Sequence, residues 1–106
     1  MSTTQEVGEF KHNPAKKEFE LKVDNGDKAF IAYNLYNKNE YDLYHTFVPD
    51  SQRGKGLAGI LAKKSMDWIA SQNAKALPSC SYLAKWVTTN PQYANYVIKA
   101  ISKNKL

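Results

Sequence analysis

Polar and apolar residues alternate through residues 16–23, KKEFELKV, which sets Phe19, Leu21 and Val23 on one side. A period of two predicts a half-buried strand. Asp24-Asn25-Gly26-Asp27 follows, and an Asn-Gly pair between alternating runs signals a hairpin. Residues 28–37, KAFIAYNLYN, supply the partner strand, with Ile31, Tyr33 and Leu35 set against Phe30, Ala32 and Asn34. A second polar turn, residues 37–40, leads into YDLYHTFVP (41–49), rich in the aromatic and β-branched residues that suit a pleated surface. The first half of the chain therefore reads as an antiparallel meander.

Beyond Pro49 the period lengthens. Leu57, Ile60, Leu61, Lys64, Ser65, Trp68 and Ile69 recur at helical spacing and predict an amphipathic helix of about four turns that starts in a glycine-rich segment. Residues 74–80, AKALPSC, read as a short strand that Pro78 helps to end. Residues 81–90 read as a helix with Leu83, Trp86 and Val87 turned to the core, broken at Asn90-Pro91 because the residue before a proline avoids helical angles. Residues 91–102 read as a last helix, frayed at its lysine-rich end. The order β-β-β-α-β-α-α defines an α/β (α+β) chain with a mixed sheet. Its strand-helix-strand unit, residues 41–80, is long enough for a right-handed parallel crossover. Residues 1–7 are expected to be loose and residues 8–106 to form a single domain.

Composition narrows the function classes. With 106 residues, 42% of them hydrophobic, the chain has material for one core. It carries no apolar run of about 18 residues and no charged, apolar leader, so no membrane partner and an intracellular, cytoplasmic setting are expected, with the nucleus left open. Cys80 is the single cysteine, and the two histidines, His12 and His45, are far apart, which argues against a disulfide or a zinc site. The net charge of +5 sits wholly in residues 68–106, which hold lysines and no acid. Those lysines are scattered and read as a solvated basic face. Neither an aromatic-basic RNA signature nor a recognition helix accompanies them, so nucleic acid is not the expected partner. A monomer or weak dimer is expected.

Residues 51–59, SQRGKGLAG, carry the chemistry. A helix that begins after a glycine-rich loop offers unpaired amides and the positive end of its dipole to an anion. Gly54 and Gly56 let a pyrophosphate approach the backbone, and Arg53 and Lys55 add cations at the rim. The spelling G-x-G-x-x-G suggests a dinucleotide, but that needs an acid about twenty residues on, and no Asp or Glu follows Asp67. A P-loop lacks its Lys-Ser/Thr pair. A tight strand-to-helix turn with no ligand is the remaining structural alternative.

The run HTFVPDSQRGKGLAGILAKKSMDWI resembles the central motif of the GNAT N-acetyltransferase superfamily, Q/R-x-x-G-x-G/A at a helix start, met here by Arg53, Gly56 and Ala58. With PSCSYLAKWVTTNPQY it is more specifically similar to the minimal, single-domain N-acetyltransferase-like proteins of that superfamily. The resemblance covers about residues 9–97. It implies acetyl-CoA as the cofactor and acetyl transfer to an amine, carried by a protein or a small molecule. It implies that Thr46, Phe47 and Val48 offer their backbone to the pantetheine arm. The loop Gln52, Arg53, Gly54, Lys55, Gly56, Leu57 and Ala58 would hold the pyrophosphate, and the next strand would splay away to admit the thioester. The chain departs from larger acetyltransferases in lacking the two helices that follow their first strand, which leaves the acceptor open.

Acetyl transfer needs a neutral amine, a polarised carbonyl and a proton for the departing thiolate. His45, on the strand expected to flank the slot, reads as a general base, the usual role of an imidazole near neutral pH; packing is its alternative role. Cys80 stands before the helix 81–90 and reads as an acetyl carrier, an acid or a small buried apolar residue. Tyr82 reads as a proton donor or a packing residue, and Asn90 as a cofactor ligand or a helix cap. A noncatalytic acyl-CoA-binding or protein-interaction module on the same fold is the alternative function.

Overall fold

The computed structural model describes residues 9–23, 26–54 and 56–98. Five strands form one sheet in the order of the chain: β1 (Phe10–Asn13), β2 (Glu18–Lys22), β3 (Lys28–Asn37), β4 (Glu40–Phe47) and β5 (Lys75–Pro78). The first four are antiparallel and β5 runs parallel to β4, so the sheet is mixed as expected. Between them α1 (Leu57–Ser71) makes the crossover, and α2 (Ser81–Thr88) follows β5.

The period-two face of β2 is buried: Phe19 and Leu21 have no exposure, and they pair in register with Ile31 and Ala29 of β3, which are equally buried. Leu57, Leu61, Ala62, Ser65, Met66 and Ile69 of α1 close over that face. Burying Leu61 completely is worth about 2–3 kcal/mol relative to exposure. Lys64, which helical spacing places on the apolar stripe, is exposed, and Ala62 and Met66 take the core positions instead.

Three expectations are corrected. FKHN forms an additional strand, β1, held because its register brings His12 opposite Phe19 and into the aromatic cluster around Trp68. The strand expected over residues 16–23 begins only at Glu18, because Lys16 and Lys17 form the β1–β2 turn and Lys17 has φ of 57°. The last helix expected over residues 91–102 is a 3-10 turn, Pro91–Tyr96. After it Val97 bridges Ala76 in parallel and the Ile98 amide donates to the Ala76 carbonyl at 2.7 Å. The free backbone edge of β5 favours that pairing over a helix. The loose terminus (1–7), the turn residues Asp24 and Asn25, Lys55, and the lysine-rich end from residue 99 lie outside the described residues.

Candidate functional site

Strand β4 contains a bulge. Ala32 pairs with His45 and Tyr33 with Leu43, so Tyr44 is an extra residue with no partner on β3. On its other side β4 pairs with β5 only from Glu40 to Leu43, and the last bond is Cys80 N–H to the Leu43 carbonyl at 2.9 Å. Beyond that vertex the two strands part. The edge of β4 from Tyr44 onward faces a gap in place of a neighbour.

That edge leads into the 3-10 turn Asp50–Gln52 and then into the start of α1. Gly54 and Gly56 have φ of +85° and +76°, conformations that L side chains rarely adopt. Gly56 is the N-cap of α1, no side chain caps the helix, and its first turn holds no acid. The amides that lead the helix are therefore left to whatever lies in front of them. In front of them lies a cleft of about 480 Å³, lined by Thr46, Val48, Gly54, Gly56, Ala58 and Tyr82 among others, a size that suits a small-molecule ligand.

The residues singled out in the sequence fall into two sets. Thr46, Val48, Gln52, Arg53, Gly54, Gly56, Leu57, Ala58 and Tyr82 line this one cleft. Leu57 and Gln52 are buried, so Leu57 offers only its amide to the cleft. Arg53 donates from Nε to the Val48 carbonyl at 3.1 Å and pairs with Asp50 at 3.3 Å, an arrangement that folds its exposed guanidinium over the rim. Cys80 sits beside the cleft, its Sγ 3.4 Å from Thr46 Oγ1, and it caps α2 through its carbonyl. Tyr82 is 39% exposed, and burial first, then the neighbouring Cys80, pushes its pKa up, which keeps its hydroxyl protonated.

The second set lies elsewhere. Side chains alternate along a strand, and residues in direct register share a face. Thr46 shares the α1 face with buried Ile31, whereas His45 and Phe47 project to the other face, where both rings pack on Phe30 at 6.1 and 5.4 Å. His45 is exposed and does not meet Cys80 on one side of the sheet. Asn90 donates from Nδ2 to the Trp86 carbonyl at 2.8 Å and to Thr89, so it finishes α2 and stays out of the cleft.

Gly59 also lines the cleft and escaped the sequence reading, although it is the third glycine of SQRGKGLAG. A Cβ there would make ordinary contact with the Tyr82 hydroxyl at 3.6 Å and Trp86 Nε1 at 4.0 Å, so α2 packs against the start of α1 at this residue. Among the described residues, no group of His, Cys, Asp and Glu could hold a metal ion, and no helix is long and apolar enough to cross a membrane.

A mixed sheet with a parting β4–β5 pair over a glycine-capped helix is the architecture of an N-acetyltransferase of the GNAT class. The chain belongs to the GCN5-related N-acetyltransferase family, whose model matches residues 18–96. It is 39% identical over 82 residues to the protein called NATD1 of Xenopus tropicalis, a match that spans 76% of this chain and 74% of the relative. NATD1 of Homo sapiens is 38% identical over 82 residues, with 76% and 72% covered. The solution structure of a GCN5-like protein of Staphylococcus aureus superposes with a TM-score of 0.66 at 25% identity, covering 86% of this chain and 88% of that one.

Proposed function

We propose that the chain is an acyl-CoA-dependent N-acetyltransferase, with acetyl-CoA as the acyl donor and an amine as the acceptor. The observation that carries this reading is the continuity of the unpaired β4 edge with the uncapped, acid-free start of α1 along one cleft. An extended amide-bearing arm pairs with such an edge, and a pyrophosphate suits such a helix start. The amides of Gly54 and of Gly56 to Ala58 hold the diphosphate, Arg53 adds charge at the rim, and the backbone of Thr46, Phe47 and Val48 aligns the arm.

The thioester then lies at the vertex between Leu43 and Cys80. The amine nitrogen attacks its carbonyl carbon, the C–S bond breaks, and the sulfur leaves as a thiolate. Tyr82, kept protonated by its surroundings, supplies the proton to that thiolate, and His45 takes the proton that the amine sheds from the opposite face. Cys80, on the Thr46 side, orients the thioester. The placement of His45 and Cys80 on different sides does not favour a relay between them. It also gives weight to a second reading, an acyl-CoA-binding module without turnover. Thiol release from acetyl-CoA with a panel of amines distinguishes the two. An enzyme loses about a hundredfold in His45→Ala, the lower range for a general base, while binding of acetyl-CoA with no thiol release for any amine leaves only the binding module.

A further inference from the structure

The sheet face away from α1 is built in rows that the register defines. Next to the parting strands runs the row His45, Ala32, Glu18, Asn13, and beside it the row Phe47, Phe30, Glu20, Lys11. No described helix packs on this face. Phe47 is 38% exposed, and the Phe30 and Phe47 rings form an apolar wall 5.4 Å apart alongside His45. Ala32, 8% exposed, is the small residue between the taller His45 and Glu18 side chains.

At the far end of the row two carboxylates share one cation. Lys28 Nζ lies 3.1 Å from Glu18 and 2.8 Å from Glu20, and Glu20 also accepts from Asn13. The trio retains one unit of negative charge. Lys11 and Lys22 stand opposite Glu20 and Lys28, which makes the flank away from His45 basic, while Asp42, in register with Asn34, adds a carboxylate on the His45 side of the lane across Ala32.

A thioester held from the α1 side leaves this face free for the incoming amine. We propose that the acceptor is a linear aliphatic diamine or polyamine lying along that lane, with its reacting nitrogen at His45 and a second ammonium at Glu18. The inference rests on the acetyltransferase reading above. His45 and Glu18 are two strand spacings apart, about 10 Å, so the chain between the nitrogens is long and passes over the methyl of Ala32 beside the Phe30 and Phe47 rings. The apolar wall suits the methylenes and its π faces suit an ammonium. The terminal amine attacks in neutral form and the C–N bond forms as the C–S bond breaks. The amine's proton passes to His45 and the thiolate is protonated from Tyr82, while the second ammonium keeps its charge throughout.

The test is an NMR titration of the CoA-loaded protein with octamethylene diamine and, separately, octylamine. The expected result is shifts of the Glu18, Ala32, His45 and Phe47 amides and about fivefold tighter binding of the diamine, the effect of one partly exposed ion pair. Glu18→Gln should remove that preference, and Lys28→Met, which frees both carboxylates, should enlarge it. Equal affinities, shifts confined to other surfaces, or no shifts at all overturn the proposal. CoA loading is read beforehand from the Gly54 and Gly56–Gly59 amides, so a failure of the cofactor reading appears before any amine is added.

Discussion

Ser65 sits in the middle of α1 with no exposure, and its hydroxyl has no hydrogen-bond partner. An unsatisfied buried polar group costs about 1–3 kcal/mol, so Ser65→Ala should be neutral or stabilising by about 1 kcal/mol in urea unfolding. His12 is its counterpart on β1. Its ring lies 4.2 Å from Trp68 and 4.9 Å from Phe19, and Nε2 is 2.6 Å from the Tyr33 hydroxyl. Burial pushes the Tyr33 pKa up to about 12, so that hydroxyl keeps its proton, and the direction of its hydrogen bond with the imidazole follows the His12 tautomer. Burial also holds the His12 pKa below 6.5. As pH falls through 6.5 the unfolded chain takes a proton before the folded one does, so stability is lost with acidification until the folded pKa is passed. Thermal unfolding between about pH 7.5 and pH 5.5 should show this fall, and His12→Gln should flatten it.

At the scale of elements, the 3-10 turn Pro91–Tyr96 is tied to α1 by the Tyr93 hydroxyl, which donates to Asp67 at 2.5 Å, while Lys63 pairs with the other carboxylate oxygen at 2.8 Å. Burial opposes ionisation of Asp67, but the bonds from Lys63 and Tyr93 outweigh it and lower its pKa. Tyr93→Phe should cost about 1–2 kcal/mol, measured by denaturant midpoint at unchanged slope. The strands β2, β3 and β4, the helix α1 and the turn chemistry of the glycine loop were legible because each is a local pattern of period or of special dihedral. β1 was not, because four residues show no period and His12 is held by partners distant in sequence. Nor was the bulge at Tyr44, which exists only relative to β3, or the pairing of Val97 with Ala76, where a free strand edge overrode the helical spacing of the tail. The loop residues of the site were read from their letters alone. The side of the sheet on which His45 and Asn90 fall depends on register and on where α2 ends.

For the molecule as a whole, the cleft joins the β4 edge left without a neighbour to the uncapped start of α1, and the proposed reaction takes its donor from the α1 side and its acceptor from the other. A ligand that binds only the folded state raises its melting temperature by mass action, so acetyl-CoA at about 100 times its dissociation constant should stabilise the protein by about 2.7 kcal/mol. A Cβ at Gly56 meets no protein atom within 4 Å, although its φ of +76° is one that L side chains rarely adopt. Gly56→Glu places a carboxylate where the diphosphate would lie. Calorimetric titration of acetyl-CoA into the native chain and into Gly56→Glu decides whether the start of α1 holds the diphosphate. Saturable one-to-one binding by the native chain is expected, with at least tenfold weaker binding by the folded variant, a loss of about 1.4 kcal/mol or more. No binding by the native chain, or equal binding by both, would contradict it.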